Sequence, residues 1–258
     1  MNEVERLKEI MDIIYREETV KSEDLEKRFN ASSVTIRRDL EKLKNKGLII
    51  RFRGGAMIAK AKLGHEPSLD ERESNNLQKK RLIGLRAAEL ISEGEVIALD
   101  VGSTTLEIAK ALRSRKNITV FTPSLPIANV FYNTNINVYL VGGLLQQKEM
   151  CLGGPIARSV IRQYHFDKFF LGVAGIDENS NVTDFGMDEV ETKKAFIERS
   201  AEVFVVADFS KFGKKSFIEI SNYPTIKNII TDCDANSQIR MNLQKRGVNV
   251  IIANSDEK

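Results

Sequence analysis

The sequence predicts an α/β protein in two parts: a small N-terminal unit of three helices and a hairpin, then a larger unit with a mostly parallel sheet. The 258 residues are 42% hydrophobic and 29% charged, a balance typical of globular chains. Positive charge is concentrated near the N-terminus. Beyond residue 76, apolar segments of five or six residues alternate with helical patterns, which predicts strands covered by helices on both faces.

Apolar residues at helical spacing predict three helices in the first 45 residues. Their inward positions are Val4, Leu7, Met11 and Ile14 in the first, Leu25 and Phe29 in the second, and Ile36, Leu40 and Leu43 in the third. Asn30 suits the end of the second helix because it tolerates left-handed backbone, and Ser32 suits the N-cap of the third.

The segment LIIRFRGGAMIA, residues 48–59, predicts a hairpin that turns at Gly54 and Gly55. The alternation predicts Leu48, Ile50 and Phe52 on one face and Arg51 and Arg53 on the other. Three helices followed by a hairpin form a winged helix-turn-helix, so we expect residues 1–58 to be a DNA-binding domain.

A polar segment, 59–76, contains Pro67 and predicts a linker. The remainder, 77–258, predicts the larger α/β domain. Its strand candidates are 96–100, 118–122, 138–142, 168–173, 203–208, 227–232 and 248–253, and its helix candidates are 77–92, 104–113, 124–133, 187–200 and 235–246.

Charge and helical geometry together predict a DNA-binding face. Residues 36–62 carry a net charge of +7, against −3 for 1–35 and −1 for 63–258. The outward side of the third helix would enter a major groove, and the hairpin arginines would meet phosphates or the minor groove of double-stranded DNA. The expected DNA contacts are Ser32, Ser33, Val34, Thr35, Arg37, Arg38, Lys42, Arg51 and Arg53.

Several classes of site lack their sequence signals. No apolar run is long enough for a membrane span, and the charged start MNEVERLKEI lacks the apolar core of a signal peptide, so we expect a cytoplasmic protein. Cys151 and Cys233 form no close pair, and His65 and His165 are isolated, so no disulfide, metal or cofactor is expected.

The stretch LDVGSTTLEIAKAL, residues 99–112, predicts a buried strand, a hydroxyl-rich turn and a helix N-terminus. Backbone N–H groups and the positive end of the helix dipole suit an anion such as phosphate there. This pattern alone does not separate an enzyme from a sensor.

Two sets of motifs resemble the DeoR family of bacterial transcription regulators. The first is Arg6, Ile10, Ile14, Ser32, Thr35, Ile36, Arg37, Arg38, Asp39 and Leu40, followed by RGGA at 53–56. The second is Lys80, DVGSTT at 100–105, Gly142, Gly143, FDKFFLG at 166–172, Thr183, Asp184, Glu191, Lys193 and SKFG at 210–213. Ser103 stands where the family commonly has Thr, and Asn181 where it commonly has Gly. We interpret Asp39 as the partner of a nearby basic residue, because a carboxylate would repel DNA phosphates.

The resemblance implies a sensor domain similar in fold to ribose phosphate isomerase that binds a phosphorylated sugar. Hydroxyl and N–H donors, lysines and carboxylates would then recognise the phosphate and the sugar. The expected effector contacts are Lys80, Asp100, Gly102, Ser103, Thr104, Thr105, Asp184, Glu191, Lys193 and Lys211.

The resulting expectation is a repressor of sugar catabolism or uptake genes, with a phosphorylated sugar modulating its binding to operator DNA as a dimer or tetramer. An alternative is a sugar-phosphate isomerase with an appended domain, since Glu191, Lys193 and Asp184 are residue types suited to proton transfer. A protein-binding adaptor is a third reading, in which the basic domain contacts protein instead of DNA.

Overall fold

The structure is a computed structural model, and it describes residues 3–17, 19–45, 49–52, 54–58, 69–177, 181–221 and 226–254. The chain forms two compact units, Met1–Lys62 and Leu63–Lys258. None of the helices in the described ranges is both long and apolar enough to cross a membrane.

The small unit contains the three predicted helices, packed on a three-stranded antiparallel sheet with the order β1-β3-β2. The elements are α1 (Glu3–Glu17), β1 (Thr19–Lys21), α2 (Ser22–Phe29), α3 (Ser33–Asn45), β2 (Ile49–Phe52) and β3 (Gly55–Ile58). Asn30 ends α2 with a left-handed φ of 45°, and the Ser32 hydroxyl accepts a hydrogen bond from the Thr35 N–H at 3.2 Å. Both predicted helix ends are confirmed.

The two faces of the hairpin differ from the prediction. Ile49 is buried, whereas Ile50 and Phe52 are exposed. The register pairs Phe52 with Gly55, so the turn lies one residue earlier than predicted, and β1 adds a third strand that the sequence did not indicate. Arg51 therefore lies on the inward side, where its guanidinium donates to Glu41 Oε2 at 2.8 Å.

The large unit is built on a seven-stranded parallel sheet with the order β15-β14-β12-β9-β4-β5-β6. The seven strands are β4 (Val96–Leu99), β5 (Thr119–Thr122), β6 (Asn137–Leu140), β9 (Phe166–Gly172), β12 (Ser200–Val206), β14 (Asn228–Asp232) and β15 (Asn249–Ala253). These are the seven predicted strands, so the α/β fold class is confirmed.

Helices cover both faces of this sheet, and each face has its own apolar core. Successive residues of β9 point to opposite sides, so Phe169 packs in one core and Phe170 in the other. The helices are α4 (Leu69–Ser74), α5 (Leu77–Glu89), α6 (Ser103–Leu112), α7 (Leu125–Val130), α8 (Pro155–Ile161), α9 (Met187–Arg199) and α10 (Ser237–Lys245), with a 3₁₀ turn at Phe209–Lys211.

Short additional strands were not predicted. They are a hairpin of β7 (Leu144–Gln146) and β8 (Cys151–Gly153), and an antiparallel sheet of β10 (Gly175–Ile176), β11 (Val182–Asp184) and β13 (Ile218–Ser221). Part of the predicted linker also has regular structure, because α4 lies within 59–76 and buries Leu69. Residues 59–68 lie outside the described residues.

The order of the strands fixes where a ligand can bind. From the centre of the sheet, β4, β5 and β6 run outward in one direction, and β9, β12, β14 and β15 in the other. In open parallel sheets the loops separate where the order reverses, which leaves a crevice at the carboxyl ends of the strands. The DVGSTT loop follows β4 and therefore lies at this point.

Candidate functional site

The outward side of α3 is accessible, as the helical wheel predicts. Val34 is 73% exposed, and Ser33, Arg37 and Arg38 are also exposed. An exposed valine among arginines at a helix N-terminus is an arrangement that suits base edges and phosphates in a major groove.

The remaining predicted DNA contacts differ in how exposed their side chains are. Ser32 is exposed and lies 2.9 Å from the half-buried Thr35 hydroxyl, and Lys42 is half-buried. The side chain of Arg51 is 25% exposed and paired with Glu41, so the prediction that it faces outward is wrong. Arg53 lies outside the described residues.

A buried ion pair in the middle of α3 fixes the orientation of this helix. Asp39 is 1% exposed and its carboxylate accepts from Arg6 Nε at 2.6 Å. The interpretation of Asp39 as the partner of a basic residue is confirmed. The pair ties α1 to α3 on the side opposite the exposed arginines.

In the large unit, a small, open cleft lies at the carboxyl ends of β4, β9 and β12. Seven of the predicted effector residues line it: Gly102, Ser103, Thr104, Thr105, Asp184, Lys193 and Lys211. The other lining residues are Arg72, Val101, Gly172, Val173 and Val206.

One wall of the cleft is the N-terminus of α6. Gly102 precedes the helix with φ 144° and ψ 164°, a conformation that side-chain-bearing residues rarely adopt. Its carbonyl accepts from the Thr105 hydroxyl at 2.9 Å, and within the described part of the chain no side chain caps the helix. The first N–H groups of a helix have no intrahelical partner, so they are available to an anion in the cleft.

The floor of the cleft is a buried lysine surrounded by carboxylates. Lys193 is 2% exposed, and its Nζ lies 3.3 Å from Asp100 and 3.1 Å from Glu189, and contacts Asp184. The same ammonium donates to the Gly172 carbonyl at 3.1 Å, while the Gly172 N–H donates to Asp100 at 3.0 Å. This cluster ties the loops after β4 and β9 to α9 and β11.

Three carboxylates share one ammonium, so the cluster carries an excess of negative charge. Burial alone would lower the pKa of Lys193, but Asp100, Asp184 and Glu189 hold it well above its usual value. Burial raises the pKa of Asp100 to about 7, even with Lys193 beside it. Asp100 therefore holds a proton more tightly than an ordinary aspartate does.

Further cationic groups lie in and next to the lining of the cleft. Arg72, on α4, is ion-paired with Glu149, whose side chain is 7% exposed. The other Glu149 oxygen, Oε1, is buried and has no hydrogen-bond partner among the residues that the structure describes. Lys80 is buried, donates to the Arg72 carbonyl, and has its pKa lowered to about 8 by burial. Lys211 lines the cleft from the 3₁₀ turn.

Three predicted effector residues are placed differently from the expectation. Asp100 and Lys80 lie behind the lining and hold other residues of the site in place. Glu191 is on the exposed side of α9, where it pairs with Lys194 at 3.2 Å, so the prediction that it faces the cleft is wrong. Glu189 reaches Lys193 instead, because residues four apart share a helix face.

Sequence reasoning missed Arg72 and Glu149, and nothing local in the polar segments around them signals a site. Glu189 could have been found from its spacing to Lys193. Gly172 could have been found as the end of a predicted strand, since the carboxyl ends of parallel strands converge.

Comparison with known proteins covers both units. Residues 6–62 match the family model described as DeoR-like helix-turn-helix domain, and residues 75–233 match the DeoR C terminal sensor domain. The HTH-type transcriptional regulator GlpR of Haloferax volcanii is 34% identical over 247 residues, 96% of each chain. The glycerol-3-phosphate regulon repressor of Escherichia coli is 30% identical over 233 residues, 90% of this chain and 92% of the repressor. Ribose 5-phosphate isomerase A of Methanocaldococcus jannaschii aligns with a TM-score of 0.41 and 19% identity, over 54% of this chain and 55% of the isomerase.

Proposed function

The chain belongs to the DeoR family of transcriptional regulators, and from that premise we propose that it represses genes of sugar metabolism in response to a phosphorylated sugar. One observation supports the effector half of this proposal: the N-terminus of α6 lines the same cleft as Arg72 and Lys211, at the switch point of the sheet. We take residues 1–58 as the DNA-binding domain and 77–258 as the sensor, acting in the cytoplasm.

We propose that α3 reads operator DNA. Arg37 and Arg38 are exposed beside Val34 at the end of the helix that reads base edges in this motif. Lys42, one turn further along, is placed to meet a phosphate. Arg53, which lies outside the described residues, remains a proposed contact from the hairpin.

We propose that the phosphate of the effector binds at the N-terminus of α6. The N–H groups of Ser103 and Thr104 and the hydroxyl of Thr104 are suited to phosphate oxygens, and Arg72 and Lys211 supply the compensating charge. Asp184, which lines the same cleft, is suited to accept a hydrogen bond from a sugar hydroxyl. A phosphorylated sugar combines both requirements.

Arg72 is also suited to change its contacts when the effector binds. It lies on α4, a few residues after the segment 59–68 that connects the two units along the chain. A phosphate in the cleft would compete with Glu149 for the guanidinium, and any movement of α4 would reach the linker. A ligand shifts DNA binding only if it favours one arrangement over another, and this exchange of partners supplies such a difference.

We propose that the cleft senses its ligand without transforming it. The isomerase alternative named Glu191, Lys193 and Asp184 as residues for proton transfer. Glu191 lies on the outer side of α9, and Lys193 is held by three carboxylates. Incubation with pentose and hexose phosphates in deuterated water tests this point: we expect no exchange beside the carbonyl, and catalysed exchange would overturn the proposal.

The DNA half of the proposal is tested with two arginine variants in a footprinting and gel-shift assay at fixed salt. Arg38→Ala is expected to abolish or strongly weaken operator binding, because it removes an exposed contact of the proposed face. Arg113→Ala removes an equally charged, exposed side chain from the large unit and is expected to leave binding unchanged. Equal affinity of Arg38→Ala and the unmodified protein would refute the assigned face.

A further inference from the structure

One segment of the large unit is free of charge over an unusual length. Residues 117–147 contain no Asp, Glu, Lys or Arg, in a chain in which 29% of residues are charged. Core packing accounts for part of this, since Val120, Phe121 and Ile127 are buried. It does not account for the surface that the same segment presents.

The second half of the segment presents large apolar side chains to solvent. Tyr132 is 73% exposed, Tyr139 50% and Leu144 71%, and Leu140 and Leu145 are also exposed. Eight of the sixteen exposed large apolar side chains among the described residues lie between positions 132 and 164: Tyr132, Tyr139, Leu140, Leu144, Leu145, Met150, Ile156 and Tyr164. Exposed apolar groups concentrated in this way mark interaction surfaces more often than single ones do.

The middle of this surface is an open strand edge. Strand β6 is the last strand on its side of the sheet and pairs only with β5 within the described residues. Edge strands are normally protected by charged side chains or proline, and β6, with the sequence NVYL, carries neither. Its outer N–H and C=O groups can therefore pair with another strand.

The aromatic part of the surface is held rigidly. Tyr139 stacks on Phe121 with ring centroids 4.5 Å apart, and Tyr164 lies 6.2 Å from Tyr139. A half-exposed tyrosine that is already fixed loses little conformational entropy on binding, which is a property of interface anchors.

We propose that β6 pairs with β6 of a second copy of this chain across a two-fold axis, so that two seven-stranded sheets become one continuous sheet. A two-fold axis perpendicular to a strand reverses its direction, so the new pair is antiparallel and each copy presents the same surface. Tyr139, Leu140 and Leu144 of each copy would flank this pair. The inference goes beyond the proposed function and does not depend on DNA or effector binding.

The absence of charge favours a second copy as the occupant. In a two-fold interface the same surface of both copies meets, so a charged patch of one sign would repel itself, whereas 117–147 brings no charge to the contact. The centres of interfaces are depleted in charged residues in the same way. Leu85 shows the contrast: it is 55% exposed, but Arg81, Arg86 and Glu89 lie on the same helix.

The experiment compares the full chain with two lysine variants by analytical ultracentrifugation over a range of concentrations. The unmodified protein is expected to sediment with a mass of at least twice the 29.1 kDa of one chain. Leu140→Lys places two positive charges at the new strand pair of each dimer and is expected to raise the dissociation constant about 100-fold. Leu85→Lys adds the same charge at a comparably exposed leucine and is expected to leave association unchanged. Thermal unfolding of each variant, measured under dissociating conditions, shows whether the chain remains folded.

Hydrogen exchange locates the contact independently of any variant. The amides of residues 137–140 are expected to become protected as the concentration rises through the association range. A monomer at all concentrations would overturn the proposal. So would an oligomer that Leu140→Lys leaves intact, or one that Leu85→Lys dissociates equally. Association without protection of 137–140 would place the interface elsewhere and would also overturn it.

Discussion

The Arg72–Glu149 pair allows a quantitative test of how the cleft binds phosphate. Arg72→Gln alone would leave Glu149 buried without its counter-charge, at a cost of about 3–5 kcal/mol in stability. The informative variant is therefore the double substitution Arg72→Gln with Glu149→Gln, which removes both charges and keeps two side chains that can hydrogen-bond. We expect it to fold and to bind the effector more weakly.

The magnitude follows from the contact that is lost. A hydrogen bond to a charged group contributes about 1.5–3 kcal/mol, which corresponds to about a 10- to 150-fold loss of affinity. The assay is isothermal titration with the triose, pentose or hexose monophosphate that most raises the melting temperature of the unmodified protein.

The matched control is Glu149→Gln alone, which keeps the guanidinium and removes the carboxylate that competes for it. Its affinity is expected to equal or exceed that of the unmodified protein. If the double variant binds as tightly as the unmodified protein, then Arg72 is not a phosphate ligand and the proposed exchange of partners is refuted.

Three further predictions concern the buried ion pairs. Lys193→Met leaves three carboxylates without their ammonium and is expected to lower the free energy of unfolding by about 3–5 kcal/mol in urea denaturation. A decrease in this free energy of less than about 1 kcal/mol would show that the cluster does not stabilise the fold. The raised pKa of Asp100 means that the folded state binds a proton more tightly than the unfolded state. The contribution of this proton to stability is therefore complete below about pH 4 and is lost as the pH rises to about 7, by up to about 1.4 kcal/mol per pH unit. Asp100→Asn is expected to flatten this slope in unfolding measured from pH 4 to 8, and an unchanged slope would assign it to other groups. Asp39→Ala removes the carboxylate that pairs with Arg6, and it is expected to lower the melting temperature of the small unit and to weaken operator binding. An unchanged melting temperature would contradict the positioning role of this pair.

The sequence predicted the parts of the fold that repeat a strong pattern. The seven strands of the parallel sheet were found as apolar runs, which are nearly continuous where a strand is buried on both faces, as in β9. The edge strands β6 and β15 are less buried, and they were found from their apolar residues alone. The short strands β7, β8, β10 and β11 were not found, because two or three residues are too few to show a pattern. The four-residue strand β13 was also missed. The hairpin faces were reversed because Ile49 and Ile50 are equally apolar, and only packing against α3 and β1 decides which one is buried.

In the candidate site, too, some residues could be predicted from the sequence and others could not. Residues of the DVGSTT loop were found because strand, turn and helix N-terminus are contiguous in the chain. Arg72 and Glu149 are 77 residues apart, and only the tertiary fold pairs them. Glu191 was misassigned because its residue type suits the chemistry, whereas the helix phase turns Glu189 toward Lys193 instead.

The most direct test of effector control is an anisotropy titration of the footprinted operator with the full chain at constant salt, with and without the sugar phosphate identified by thermal shift. We predict that the ligand changes operator affinity at least fivefold in the unmodified protein, which corresponds to about 1 kcal/mol of coupling, and much less in Thr104→Ala, whose affinity for DNA alone is unchanged. An operator affinity that stays the same with every sugar phosphate that binds would contradict the proposed coupling between the cleft and α3.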